Sequence, residues 1–404
     1  MPRRLQFIVV AFSSAIVALL LFGAVGRSAS PDSPYTNLGV YSEVLSRIKA
    51  DYVEEPDMKA VTVGAINGML ESLDPHASYL NADQYKQYLK TKDTKKADVG
   101  LVLAKRFGYM AVEDAIPGSP AAKAGFSTGD VIESINNVST RDMPLAFAEI
   151  LLQGEPGSSI EMSVLTARQA DPQKIKLVRA PLVYPPVSAK LVTDQGPDAI
   201  GVISTSTLQP GRAKDIAQKI TDLEKQGAKR LILDLRYCSP GSIDEGIAVA
   251  NLFMDKGLIT YSLGQKAARQ DHAAVASKAI TNLPLVVLVN RGTAGAAEVA
   301  AGALLDSKRA QLVGEPTYGD AAIRKAITMD DGSAVILSVA KYYSPSGKAI
   351  QDAHVTPNVL QAETTAVVEN DDDSGVTVLP APPAKPGEDE ILKHGYDTLR
   401  QSTK

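Results

Sequence analysis

The chain has 404 residues, 45% of them hydrophobic, and a formal net charge of −4 at pH 7. It is long enough for two or three domains of ordinary size and apolar enough to fill their cores. Near-neutral charge, 5% aromatics and no Trp give neither the basic surface nor the stacking platforms that nucleic acid requires. The single cysteine, Cys238, excludes an internal disulfide, and His76, His272, His354 and His394 have no metal-ligand spacing, so no metal or other cofactor is expected.

Residues 1–30 read as a membrane-directed segment. Arg3 and Arg4 precede an apolar run at 7–25, broken only by Ser13, Ser14 and Gly23. Such a run is about as long as a bilayer span, and the basic flank favours an N-inside orientation. A buried core helix fits poorly, because such helices are seldom apolar around the whole circumference. A signal peptide cleaved near Ser28-Ala29-Ser30 and an uncleaved anchor both fit. In either case the rest of the chain is expected to be exported, to the periplasmic side of a bacterial cell envelope, with its N-terminal segment as the membrane contact.

Residues 31–95 carry helical spacing in Val40, Val44, Ile48 and Tyr52, and again in Val61, Ala65, Met69 and Leu73. Glu54-Glu55-Pro56-Asp57 separates the two helices, and Asp74-Pro75 ends the second. A helical module for packing or dimerisation is expected here, without chemistry. Residues 96–182 change to short strands. Leu101-Val102-Leu103, Tyr109-Met110-Ala111-Val112 and the alternating run at 160–165 are strand-like, with one short helix after Pro117-Gly118 and another near 146–153. Over 183–362 strands alternate with helices. Leu231-Ile232-Leu233 and Leu285-Val286-Val287-Leu288-Val289 are the uniformly apolar runs of a sheet covered on both faces, which predicts an α/β layered core. Residues 363–404 open as an acidic, Pro-rich linker and end in a stretch, 388–401, that can form one amphipathic helix.

Three collinear parts resemble the carboxy-terminal processing proteases. Gly68-Met69-Leu70-Glu71-Ser72-Leu73-Asp74-Pro75-His76-Ala77-Ser78-Tyr79-Leu80 is similar to that family's N-terminal helical signature. Pro120-Ala121-Ala122-Lys123-Ala124-Gly125 with Gly129-Asp130-Val131-Ile132 resembles the family's PDZ domain. The segments at 231–236, Asp244-Glu245, Gly314-Glu315-Pro316-Thr317 and Tyr342-Tyr343-Ser344-Pro345-Ser346-Gly347 resemble the protease core. The resemblance implies a multidomain α/β and β-rich fold: an N-terminal helical module, a PDZ domain at 96–182 and an α/β protease-like core at 183–362.

It also implies peptide hydrolysis by a serine whose proton passes to a partly desolvated lysine, with backbone N–H groups stabilising the oxyanion. The scaffold is legible, but the reactive positions are replaced. The family's Gly-Ser-Ala-Ser-Ala-Ser-Glu turn reads Gly292-Thr293-Ala294-Gly295-Ala296-Ala297-Glu298, with Gly295 at the nucleophile. The base lysine falls on Asp320 and its supporting glutamine on Arg324. The oxyanion loop reads Tyr237-Cys238-Ser239-Pro240-Gly241, and Pro240 has no N–H to donate. No serine occurs between Ser277 and Ser307, so a shifted register does not supply one. Asp320 and Arg324 are expected either as an i, i+4 pair in a helical segment or as separate solvated charges. Thr293 with Lys325 or Lys308 is a weak substitute mechanism, and Cys238 reads as a core residue rather than a nucleophile.

No intact catalytic set is therefore expected, and the leading reading is a pseudoprotease. The PDZ resemblance assigns peptide binding to Val99, Gly100, Leu101, Val102 and Leu103, with Asp98 standing where the family usually has glycine. Expected partners are peptide or protein C-termini, a second copy of the chain, or an active paralogue. An active serine-type or Thr-based endopeptidase acting on C-terminal segments of envelope proteins is the alternative.

Overall fold

The computed structural model describes residues 38–92, 97–106, 108–127, 129–141, 143–166, 171–362 and 389–401. The apolar run at 7–25 and the acidic stretch at 363–388 lie outside them. Among the described residues no helix is long and apolar enough to cross a membrane. The chain divides into two compact units at Ala65 and Ile66.

The first unit contains α1 (Leu38–Asp51), which buries no residue, and the start of α2 (Met58–Glu71), where Asp57 Oδ1 accepts the N–H groups of Lys59 and Ala60 as a cap. In the second unit, the segment read as purely helical contains a strand, β1 (Ser78–Leu80), before α3 (Ala82–Lys92). Its alternation is too short to register as a strand in the sequence, and a core strand more than 250 residues later supplies its partner.

The PDZ-like domain follows. It comprises β2 (Leu101–Arg106), β3 (Tyr109–Ala115), α4 (Pro120–Lys123), β4 (Val131–Ile135), β5 (Val138–Ser139), α5 (Leu145–Leu152), β6 (Ser159–Leu165) and β7 (Gln173–Val178). The sheet order is β2-β3-β4-β6-β7, with β5 paired to β4, so β2 is an edge strand. Alternate residues of β6, Ile160, Met162 and Val164, face a core that α5 closes with Leu145, Ala148 and Leu152.

The core continues through β8 (Ser188–Val192), β9 (Ile200–Ser204), α6 (Arg212–Lys225), β10 (Arg230–Asp234), α7 (Ile243–Phe253), β11 (Leu258–Leu263) and β12 (Gln270–Ala273). After these come β13 (Leu285–Val289), α8 (Ala296–Asp306), β14 (Gln311–Gly314), β15 (Ala322–Thr328), β16 (Ala334–Tyr343), α9 (Ile350–Ala353), β17 (Val359–Leu360) and α10 (Glu390–Gln401). The central sheet runs β17-β14-β13-β10-β9-β8, parallel except for β8. Leu231, Leu233, Leu285, Val287 and Val289 meet α6, α7 and α8 on one face. On the other, Val202, Ile232, Val286 and Leu288 meet Ile391, Tyr396 and Leu399 of α10. The final helix, read from sequence as following a linker, is thus one of the three layers of the core. Asp389 caps its start by accepting the Leu392 N–H and pairs with Arg236, which also grips Asp234 at the end of β10.

A second core sheet is antiparallel, ordered β1-β16-β11-β12 with β15 also on β16. It fastens the 78–80 segment to the core through the pairs Ser78–Ile336 and Leu80–Ala334.

Candidate functional site

β13 is buried at all five positions and ends in a turn that the sequence folds through its own polar groups. Asn290 Oδ1 accepts the N–H of Gly292 and of Tyr237. Thr293 Oγ1 accepts the Asn290 N–H at 3.0 Å and donates to the Leu235 carbonyl at 2.8 Å, in full burial. The Thr293 hydroxyl therefore locks the turn against the loop after β10. Gly295 follows at φ +58°, ψ −113° and leads directly into α8. That backbone is the sharp strand-to-helix elbow a hydrolase uses to present a nucleophile, and here it carries no side chain.

Glu298, on the first turn of α8, is fully buried and holds the site together. Its carboxylate accepts N–H groups from Gly295 at 2.9 Å, Gly319 at 2.7 Å and Asp320 at 2.8 Å, and the Thr317 hydroxyl. Burial pushes its carboxyl up to about 7, and the four donors hold it from going higher. In the sequence it served only to align the turn. Its role as the hub was hidden because its partners lie about twenty residues away along the chain.

The base position is filled by a charge cluster. Asp320 is in contact with the Arg324 guanidinium, and its Oδ1 lies 3.7 Å from His76 Nε2. The segment is not helical: Arg324 is on β15, where the pairing register shifts between Ile323 and Arg324, and its guanidinium reaches Asp320. Both side chains are little more than a quarter exposed, so these are not two free solvated charges. Burial lowers the His76 imidazole below its usual value; Asp320 opposes that shift and Arg324 adds to it. The imidazole is thus held neutral at pH 7.

Glu149, on α5 of the PDZ-like domain, belongs to the same cluster. Burial pushes its carboxyl up, Arg324 pulls it down, and Asp320 and Asp98 push it up again. Loss of solvation around the carboxyl is the largest of these effects, ahead of any single neighbouring charge, and the net push is upward, to about 7. Neither His76 nor Glu149 had a sequence signal for this place, since each is brought in by a different domain contact.

The loop of the family's oxyanion donors is stitched elsewhere. The Pro240 carbonyl accepts the Leu208 N–H at 2.8 Å and the Thr207 hydroxyl at 2.7 Å, and Gly241 forms a bridge with Leu208. Cys238 is buried in the main core, and burial drives its thiol far above the usual range. It is no nucleophile at neutral pH.

In the PDZ-like domain, Val99, Leu101 and Leu103 are buried in the domain core, while Val102 on the intervening face is half-buried. The loop before β2 is pinned to α4: the Val99 carbonyl accepts the Ala121 N–H and the Gly100 carbonyl accepts the Ile116 N–H. Gly100 has φ +81°, and a Cβ there would lie 2.2 Å from that of Ser119, so only glycine fits. Among the described residues no group of three or more His, Cys, Asp or Glu is placed to hold a metal ion.

Comparison with known proteins places these features. Residues 199–361 match Peptidase family S41, and residues 112–166 match the PDZ domain. The chain is 32% identical over 369 residues to the carboxy-terminal processing protease CtpA of Bacillus subtilis, covering 89% of this chain and 78% of that one. It is 30% identical over 367 residues to the carboxy-terminal-processing protease of Bartonella bacilliformis, covering 89% and 83%. Among solved structures, a photosystem II D1 C-terminal processing protease is similar with a TM-score of 0.64 and 28% identity, over 81% of this chain and 93% of that chain.

Proposed function

The chain belongs to the carboxy-terminal processing protease family, and we propose that within it this protein is an exported, non-cleaving member that binds peptide segments or partner proteins in the bacterial cell envelope. What supports this reading is the elbow at Gly295. The position from which the family's nucleophile would attack has no side-chain oxygen, and the nearest hydroxyl in the turn, that of Thr293, is committed to two main-chain hydrogen bonds. A neutral amine to take a proton is also lacking at residue 320, where the carboxylate is paired with Arg324. Binding would fall to the PDZ-like domain, whose edge strand β2 offers the geometry for adding a peptide strand. Export rests on the apolar run at 7–25 behind Arg3 and Arg4.

The test is a peptidase assay of the purified chain against casein and a fluorogenic peptide with an apolar tail, run beside an active relative. No turnover is expected from this chain. Cleavage that disappears in Thr293→Ala would overturn the proposal.

A further inference from the structure

We propose that Asp98 closes the PDZ carboxylate loop to free peptide C-termini, so that the groove selects internal polypeptide segments instead. The inference rests on the peptide-binding reading above and names the class of peptide.

A PDZ loop holds a terminal carboxylate with the backbone N–H groups that precede its edge strand. In this chain a carboxylate is already present. Asp98 Oδ1 accepts the Gly100 N–H at 2.7 Å, and the Val99 N–H supports the same side chain. The Asp98 backbone cannot swing away freely, because it exchanges two hydrogen bonds with Ala180, at 3.0 and 3.1 Å. The Gly100 end is fixed through its carbonyl, which accepts the Ile116 N–H at 2.9 Å and the Ser119 hydroxyl at 3.4 Å. The side chain therefore occupies, from within the loop, the place a terminal carboxylate would take.

The surroundings reinforce the exclusion. Asp98 is close enough to Glu149 of α5 to add to the upward push on the Glu149 carboxyl, so a ligand carboxylate entering beside Asp98 would add a further negative charge to this neighbourhood. Arg179 is the cation near Asp98, but its guanidinium is taken up by α5 and β6. Nε donates to the Leu152 carbonyl at 2.9 Å, Nη2 to the Leu151 carbonyl at 2.7 Å, and Nη1 to Ser158 Oγ and the Ser159 carbonyl at 3.0 and 3.2 Å. Its charge is spent on the C-terminal carbonyls of a helix rather than offered to a ligand. A segment that passes through the groove as an internal strand carries no terminal charge and avoids this repulsion, while still pairing with β2.

The experiment uses a library of randomised decapeptides synthesised twice, once with a free carboxylate and once as the carboxamide, and captured by the full chain in detergent. Mass spectrometry reads the acid-to-amide ratio of what is retained. The natural chain is expected to retain the amide at least as well as the acid. D98G, which restores an open loop, is expected to shift the ratio about tenfold towards the acid, roughly the worth of one charge-assisted hydrogen bond. D98N keeps the cap without its charge and is expected to fall between the two, so the comparison survives if D98G folds poorly. A natural chain that prefers acids tenfold, or a ratio unmoved in both variants, overturns the inference while leaving peptide binding intact. Capture of neither form by any of the three proteins overturns peptide binding itself and this inference with it.

Discussion

At Gly295 the backbone geometry of a nucleophile elbow has outlasted the nucleophile. A Cβ added there would sit 3.4 Å from the Asp320 carbonyl and 3.9 Å from that of Ser239, which is ordinary contact. The obstacle to a serine is conformational, because φ +58° with ψ −113° is strained for any residue with a side chain. Gly295→Ser is therefore expected to fold, to lose about 1–3 kcal/mol of stability in urea titration, and to give no peptidase activity, since Asp320 remains paired with Arg324. Recovery of turnover by this single change would mean that another group acts as base. A different residue reports on pH. Burial pushes the Asp114 carboxyl, on β3, up to about 6 from 3.8. The folded state then binds a proton more tightly than the unfolded chain, so stability is fully present below the unfolded value and is lost as pH rises through about 6. Asp114→Asn removes this titration. Between pH 4.5 and 7.5 the natural chain should lose about 1–2 kcal/mol relative to the variant, measured by urea unfolding of both proteins at each pH. Equal slopes would show that Asp114 ionises freely.

Among the elements, β13 illustrates what the sequence discloses and what it conceals. Its five apolar residues announce a strand covered on both faces, and the structure buries all five. The helices α7 and α8, each following one of the apolar strands, were the legible part of the cover for one face, which α6 completes. The other cover, α10, follows a long acidic stretch, and nothing local in its amphipathic pattern names the sheet it meets. The candidate site divides in the same way. Gly295, Asp320 and Arg324 were readable because a contiguous motif fixes the register of each. The meeting of His76, Glu149 and Arg324 was not, because it depends on β1 pairing with β16 and on α5 lying beside them. The placement of α10 has a measurable consequence. Leu399 is 1% exposed against the central sheet, so Leu399→Ala is expected to destabilise the whole core by about 2–4 kcal/mol. Calorimetry or urea titration would show it as a shift of the main unfolding transition. Loss confined to a small early transition would mean that α10 is an appended tail.

Within the larger of the two units, the PDZ-like domain and the core share an apolar seam. Leu80 of β1, Ala146 of α5 and Ile336 of β16 are buried together, with Tyr85, Tyr88, Phe147 and Ala326 packed around them. A separate polar contact pairs Lys105 of β2 with Glu71 at the end of α2. The face of α5 that reaches the core thus belongs to the same helix that closes the PDZ-like domain and carries Glu149, so a change at the seam reaches the groove as well. Interfaces between domains of one chain are commonly polar and loose, and their domains open independently. The apolar seam couples them instead. Ala146 is 8% exposed, and replacing it by glutamate would bury a charge with no partner in the seam. Ala146→Glu is expected to separate the PDZ-like domain from the core. Differential scanning calorimetry should change from one shared transition for the two to two transitions, with the lower one belonging to the PDZ-like domain. Limited proteolysis should then cut near residues 180–187, in the connection to β8. If the variant keeps a single transition and resists cleavage there, the domains are joined by something other than this seam.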